Sequence, residues 1–512
     1  MYTHKNLFLA TLILLAFVSC DKSVDVTQVE PYAPIKQNEN GGTWKTFLIA
    51  DPSQIFVALP KLETDASYKA ELDSLKKIVL PAVNSSQKAS INYWGAGFVY
   101  RWNEIARELA AKYNLPPVAK ADGTYPVPDP NNPLAEPKFP FANPPYASRA
   151  FAYLSIAQYD ALVAAWYYKF KYNRKPIRVS DPSVVQGLPQ NSLPSYPSEG
   201  AVVSSASYVV LLSMFPGETE FLNTKLAEAL NVPLWAGINV KSDIEAGAKL
   251  GKAVADVALA KSKTDGMGNA NNQTVTAGFI AAAKARGVTK LWESLEVPVR
   301  PPLLPNYGAV KTWTFDKATL EKIRPKTPFL VGSPEWEKDL AELKAIDKSQ
   351  TREQSRIAAY WADGPGTYTP PGHWNRLATD LCLNAKLSEI STARVLAYLN
   401  TGVMDAGIAC WEAKYYYYAP RPQQFGLKTS VGLPNFPSYT SGHSTFSSAA
   451  ATILGYMFPS ASSELTAKAL EASNSRIYGL IHFRVDAEMG LDHGKKIGEL
   501  VIQRAKSDGF EL

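Results

Sequence analysis

From about residue 66 onward, apolar residues recur at three- and four-residue steps, the spacing that lines one face of an α-helix. The stretches INYWGAGFVYRWNEIARELAAKYN (91–114), ASRAFAYLSIAQYDALVAAWYYKFKY (147–172) and SDIEAGAKLGKAVADVALAKSKTDG (242–266) each carry that period. Runs alternating in the strand manner are scarce. Proline- and glycine-rich connections at 115–146, 173–200 and 296–312 separate the periodic segments. A second periodic block starts near 335 with SPEWEKDLAELKAI and continues through TREQSRIAAYWADG and a long apolar run from 373 to 418. It ends with a helix from about 444 and two more between about 463 and 508. No segment repeats itself. The pattern predicts an all-α protein, a helical bundle with short loops between antiparallel neighbours. It divides into an N-terminal helical region over 61–330 and a C-terminal bundle over 331–512.

The first residues read differently. MYTHKNLFLATLILLAFVSCDKS has a basic start, an apolar stretch from Leu7 to Val18, then Ser19 and Cys20. That stretch is short of the roughly 20 residues that span a bilayer, so residues 1–19 read as a signal peptide. A small residue before a cysteine resembles a bacterial lipobox, with Cys20 lipidated; an ordinary signal peptide ending near a cysteine is the alternative. Residues 20–60 are polar without sustained period and read as a tether. The expected location is the cell envelope, lipid-anchored and facing the periplasm or the outside, with membrane contact through the anchor alone.

Composition narrows the classes. A chain of 512 residues, 46% hydrophobic, has ample apolar material for a large core, which excludes a disordered chain. The formal charge of +6 is small for this length and the cations are scattered, which argues against nucleic acid as a partner. Apart from Cys20 the cysteines are Cys382 and Cys410, both in apolar helical settings that read as buried free thiols.

Three segments put polar residues where a bundle core would not want them. In WEAKYYYYAPRPQQF, Lys414 lies on the last turns of a long helix and Arg421 follows the proline that ends it. Alone, such cations are ordinary partners of a helix C-terminus. In FPSYTSGHSTF, Ser441 and Gly442 stand at a helix start, where free N–H groups favour an anion, and His443 hangs over the same place. Alone, that is an N-cap serine beside a surface histidine. In SNSRIYGLIHFRVDAEMG, Gly479 breaks the helix between Arg476 and His482, and Asp486 lies four residues after His482, where its carboxylate can fix the imidazole tautomer. His493 reads as structural. Together the three cations, the helix start and the two histidines make a pocket for a tetrahedral or trigonal bipyramidal oxyanion. A zinc or iron site on His443, His482 and Asp486 is the competing reading, and three neighbouring cations would repel such a bare metal ion.

The series Lys414-x6-Arg421-Pro422, Ser441-Gly442-His443 and Ser475-Arg476-x5-His482-x3-Asp486 resembles the three-part signature shared by class A bacterial acid phosphatases, type 2 phosphatidic acid phosphatases and vanadium-dependent haloperoxidases. The resemblance covers about the last hundred residues and implies their helical bundle. It implies that Lys414, Arg421, Arg476, Ser441 and the Gly442 amide hold the oxyanion, with His443 as acid/base. In a phosphatase His482 would attack phosphorus and form a phosphohistidine, with no cofactor. In a haloperoxidase it would ligate vanadium, and vanadate would be the cofactor that oxidises a halide with peroxide.

The membrane-embedded lipid phosphatases have spanning helices, for which this chain has no candidate. Trp411, Phe436 and Tyr439 resemble the haloperoxidase side, as does AAYWADGPGTYTPPGHWN (358–375), in which Asp363 would support Arg476 and His373 reads as structural. Thr440 stands where that family has proline, and the gap from His443 to Arg476 is closer to the phosphatase pattern. The expectation is therefore a haloperoxidase-like enzyme acting on halide and peroxide. A phosphomonoesterase acting on phosphate esters and a phosphate-binding lipoprotein without turnover are the alternatives, and the sequence leaves open whether the chain forms a homodimer.

Overall fold

The computed structural model describes residues 29–189 and 192–511; the expected signal peptide and Cys20 lie outside them. Among the described residues there is no strand. The N-terminal helices are α1 (Ala66–Ser74), α2 (Ser85–Gly95), α3 (Phe98–Tyr113), α4 (Pro144–Tyr172), α5 (Ile177–Ser180), α6 (Glu199–Met214), α7 (Thr219–Trp235), α8 (Lys241–Ser262), α9 (Thr276–Ala285) and α10 (Lys317–Ile323). The C-terminal ones are α11 (Pro334–Ser349), α12 (Arg352–Tyr360), α13 (Thr369–Asn384), α14 (Glu389–Tyr417), α15 (Gly442–Met457), α16 (Ser462–Tyr478) and α17 (Arg484–Ser507).

The period read from 91 to 114 is split between α2 and α3. Gly97 sits at φ +123°, and the first N–H groups of α3 are satisfied from far along the chain: Glu389 accepts from Phe98 N at 2.6 Å and Val99 N at 2.9 Å. A cap supplied across 290 residues leaves no local mark in the sequence. The helix read from 147 begins slightly earlier, at Pro144, where proline fits because the first turn has no use for its N–H, and Asn143 caps it.

The two 29-residue helices α4 and α14 are buried almost all round and pack against each other at the centre. A polar ladder crosses them. Asn103 of α3 donates to Asn375 of α13 at 2.8 Å, Asn375 to Asn400 of α14 at 2.7 Å, and Asn400 to Ser155 of α4 at 2.8 Å. Buried amides satisfied in this way specify which helices meet. The apolar core follows the same route, continuous from Ile49 to Phe510, so the helices before and after residue 330 share one core.

Residues 29–60 are not the tether expected of them. They lie on the body, with Ile49 and Val57 in the core, because Asp160 of α4, itself buried, accepts hydrogen bonds from the N–H groups of Phe47, Leu48 and Ile49. Asp405 of α14 holds Trp313 and Thr314 in the same manner. Burial pushes both carboxyls up to about 7, offset in part by these backbone donors. Polarity misled the reading because the polar groups of this segment are backbone groups with buried partners.

Close helix approach decides the geometry of the C-terminal half. Gly490, Gly494 and Gly498 recur every fourth residue on α17 and face α15. A Cβ on Gly490 would come within 2.7 Å of Ser444 Cβ, one on Gly498 within 2.7 Å of Thr452 Cβ, and one on Gly494 would press into the Thr445 carbonyl. Replacing Gly494 with alanine should therefore cost about 1–3 kcal/mol in denaturant unfolding, since it presses α17 away from α15. Unchanged stability would show that this spacing is not needed.

Candidate active site

The last turn of α14 ends at Tyr418, whose φ of 53° turns the chain out of the helix, and the following loop returns over the helix end. Lys414 lies beneath that loop. Its ammonium donates to the carbonyls of Pro437 at 3.1 Å, Ser438 at 2.7 Å and Thr440 at 2.5 Å, so all three N–H groups brace the loop. Lys414, expected from the sequence to hold the oxyanion, places its charge directly behind the loop that leads into Ser441. Arg421 donates to Phe436 O and Ile481 O, each at 2.8 Å. Arg476, on the last turn of α16, donates to Ser475 Oγ and Ala358 O, also at 2.8 Å. All three cations are at most 1% exposed, and among the described residues none makes an ion pair, Asp486 and Asp363 acting on them only through their fields. Burial holds Lys414 below its ordinary range and takes Arg421 down to about 9 and Arg476 to about 10.

Ser441 caps α15. Its Oγ accepts from Ser444 N at 3.4 Å and its own N–H donates to Asp486 O at 2.9 Å, which ties the start of α15 to α17. The N–H groups of Gly442 and His443 make no protein hydrogen bond, as expected at a helix start. A Cβ on Gly442 would meet only ring atoms of Phe446 and Trp411 at 3.9 and 4.0 Å, so there is open room before this amide.

His482 precedes α17 rather than starting it, and the left-handed residue in the break is Leu480 (φ 57°), not Gly479. Gly479 is needed for closeness instead, since a Cβ there would lie 2.6 Å from Val431 Cγ2. Asp486 accepts from His482 Nδ1 at 3.0 Å and from Phe483 N at 3.2 Å. Ser438 Oγ lies 3.1 Å from the same Nδ1 and donates to Asp486. With Nδ1–H held by the carboxylate, Nε2 carries the lone pair, and Nε2 has no protein partner. Across the site, His443 Nε2 is buried and also lacks one. Burial first, then the nearby cations, hold both imidazoles well below their ordinary range, with Arg476 acting on His443 and with Arg421 and Lys414 acting on His482. Asp486 is raised by burial against the pull of Ser438, Lys414 and Arg421.

Asp363 does not pair with Arg476 as expected. It faces His373 Nδ1 at 3.2 Å and acts on Arg476 only through its field. His373 is structural, stacked on Trp361 at 4.4 Å. Trp411 and Phe436 stand where the sequence placed them: their rings meet at 4.9 Å, and Phe436 lies 5.1 Å from Lys414 Nζ and 5.0 Å from the Arg421 guanidinium. The two thiols are buried and unbridged. His493 is buried in α17 and burial takes it down to about 3. Ser438 is the residue that sequence reasoning missed; its place five residues before His443 carries no signal apart from the contact with Asp486.

The region containing all eight of the cations, helix-start residues, histidines and Asp486 that build this site matches a known family: residues 393–504 match the PAP2 superfamily. This segment is a PAP2-superfamily domain. The PAP2 segment begins within α14 and closes within α17, and the likeness to solved structures extends beyond it, over 70–75% of the chain. One, described as the first bacterial vanadium-dependent iodoperoxidase, superposes with a TM-score of 0.54 at 20% identity, covering 70% of this chain and 91% of that one. Holo and apo forms of a bacterial vanadium-dependent chloroperoxidase superpose with TM-scores of 0.50, at 13% and 14% identity, covering 74% and 75% of this chain and 96% and 98% of theirs. At these identities the likeness is one of fold. No curated protein matches the chain.

The burial of both PAP2 imidazoles has a direct readout. At about pH 6.5, where a free imidazole is half protonated, His443 and His482 should be neutral in phosphate-free buffer by ¹⁵N NMR. Added phosphate should raise the His443 midpoint, because negative charge favours the imidazolium. A midpoint at or above about 6.5 without an anion would contradict this account.

Proposed function

We propose that the chain is an oxyanion-binding enzyme of the PAP2 superfamily and, within it, a vanadium-dependent haloperoxidase that oxidises a halide with peroxide. The observation that carries the oxyanion reading is the set of three buried cations that, among the described residues, make no direct ion pair, beside a free helix start and two imidazoles whose Nε2 atoms have no partner there. Such a set fits vanadate, whose oxygens need several donors and whose metal needs one neutral nitrogen. The haloperoxidase branch is favoured by the fold, which the two kinds of bacterial haloperoxidase share over at least 70% of this chain, well beyond the PAP2 segment.

His482 Nε2 would hold vanadium, and the Gly442 amide, Ser441 and the Arg421 and Arg476 guanidiniums would hold the oxygens. When bound, vanadate supplies the Lewis-acid activation of peroxide toward a halide. Asp486 and Ser438 keep the His482 lone pair aimed outward. His443 takes and returns a proton at Nε2, and the positive field of Arg476 favours its neutral, proton-accepting form until negative charge enters. Trp411 and Phe436 pack over Lys414 and Arg421 and keep water from them, which strengthens their field.

Purified protein stripped of vanadium and then given orthovanadate should oxidise bromide or iodide in the presence of peroxide, with phosphate as competitor. His482→Ala should abolish the activity and His443→Ala should lower it by roughly 10²–10⁴-fold. Orthovanadate should also raise the melting temperature, by about 2.7 kcal/mol of added stability at a hundredfold excess over Kd, and less in Arg476→Ala. If no halide is oxidised and phosphate esters are hydrolysed instead, the chain is a phosphatase and vanadate its inhibitor.

A further inference from the structure

A cavity of about 130 Å³ lies among α2, α3, α4, α6 and the junction of α13 with α14. It shares no residue with the PAP2 site. Its Glu389 and the site's Lys414 stand at opposite ends of α14, roughly 37 Å apart at 1.5 Å per residue. Aromatic and aliphatic side chains, Trp94, Phe98, Trp166 and Leu383 among them, form its walls. The pocket opens to solvent on one side and its lining is partly polar, so it has room for a ring carrying a short polar substituent.

Its polar groups are unevenly satisfied. Lys169 donates to Pro194 O at 2.6 Å, and both oxygens of Glu389 are taken by the first N–H groups of α3. Glu199, at the start of α6, and Trp94 are not provided for: Glu199 Oε2 and Trp94 Nε1 are buried and have no partner. Among the described residues Glu199 makes no ion pair, and Lys169 acts on it only through its field. A buried polar atom left unsatisfied costs about 1–3 kcal/mol, more when charged, and folded proteins keep few of them. The unmet groups are an acceptor and a donor, and the unmet acceptor is a carboxyl oxygen, which an ammonium would satisfy and a second carboxylate would not.

We propose that this cavity binds a small single-ring amine carrying a neighbouring oxygen, with the ring between the aromatic walls, the ammonium on Glu199 Oε2 and the oxygen accepting from Trp94 Nε1. The binding is independent of the oxyanion chemistry.

The test is calorimetric titration of the whole protein with 2-amino-1-phenylethanol, alongside 1-phenylethanol, which lacks the ammonium, and mandelate, which carries an anion. The amino alcohol should bind saturably, at least tenfold more tightly than 1-phenylethanol, and mandelate should not bind. Glu199→Gln, nearly isosteric, should lose at least tenfold in affinity, while His482→Ala and added orthovanadate should leave affinity unchanged. Absence of saturable binding, mandelate binding as tightly as the amine, or unchanged affinity in a folded Glu199→Gln protein would overturn the proposal. If that variant does not fold, the three-ligand series on the unaltered protein decides alone.

Discussion

Positive charge buried without a direct ion pair is the constraint around which the C-terminal half is built. Lys414, Arg421 and Arg476 are kept from water, Asp486 and Asp363 reach them only through their fields, and the work of solvating them falls to peptide carbonyls: Phe436, Pro437, Ser438 and Thr440 from one loop, Ile481 from the break before α17, and Ala358 from α12. Each of these oxygens must stand where a cation needs it, so the course of three irregular or terminal segments follows from three side chains. Carbonyl dipoles offset burial only in part, as the lowered values of Arg421 and Arg476 indicate. What is left over is a positive potential in a dry place, which is the condition for strong anion binding.

That potential is useful only if the groups it acts with are held still. The glycine stripe on α17 lets its backbone settle against α15, and the hydrogen bond from Ser441 N to Asp486 O joins the two helices at the level of the site. Behind them the asparagine ladder fixes α3, α4, α13 and α14 to one another, and the core runs without interruption into the N-terminal helices. The N-terminal helices α1–α10 thus back a site whose cations, helix start and histidines all lie between Lys414 and Asp486.

Helix positions and most of the site were legible in the sequence because each rests on local spacing: apolar residues at helical steps, proline after Tyr418, serine and glycine ahead of His443, aspartate four residues past His482. The features that were not legible are contacts between distant residues. Glu389 caps α3, Asp160 gathers residues 47–49 onto the body, Ser438 reaches Asp486, and Asp363 prefers His373 to Arg476. None leaves a periodic trace. A polar stretch with buried backbone partners looks like a linker until its acceptor is placed in space.

Phosphate and vanadate present nearly the same oxygens to the protein, so the residues that touch them cannot by themselves choose the chemistry. The field behind those residues sets how the histidines respond. Burial, and after it the cation Arg476, keep His443 neutral, which suits a base and is wrong for an acid. An oxyanion entering the site adds negative charge next to that imidazole and moves its proton affinity upward. Under the proposed reading the acid form therefore arises only once the anion is in place, so the charges that hold the ligand also time the proton transfer, and an empty site does not carry an armed acid.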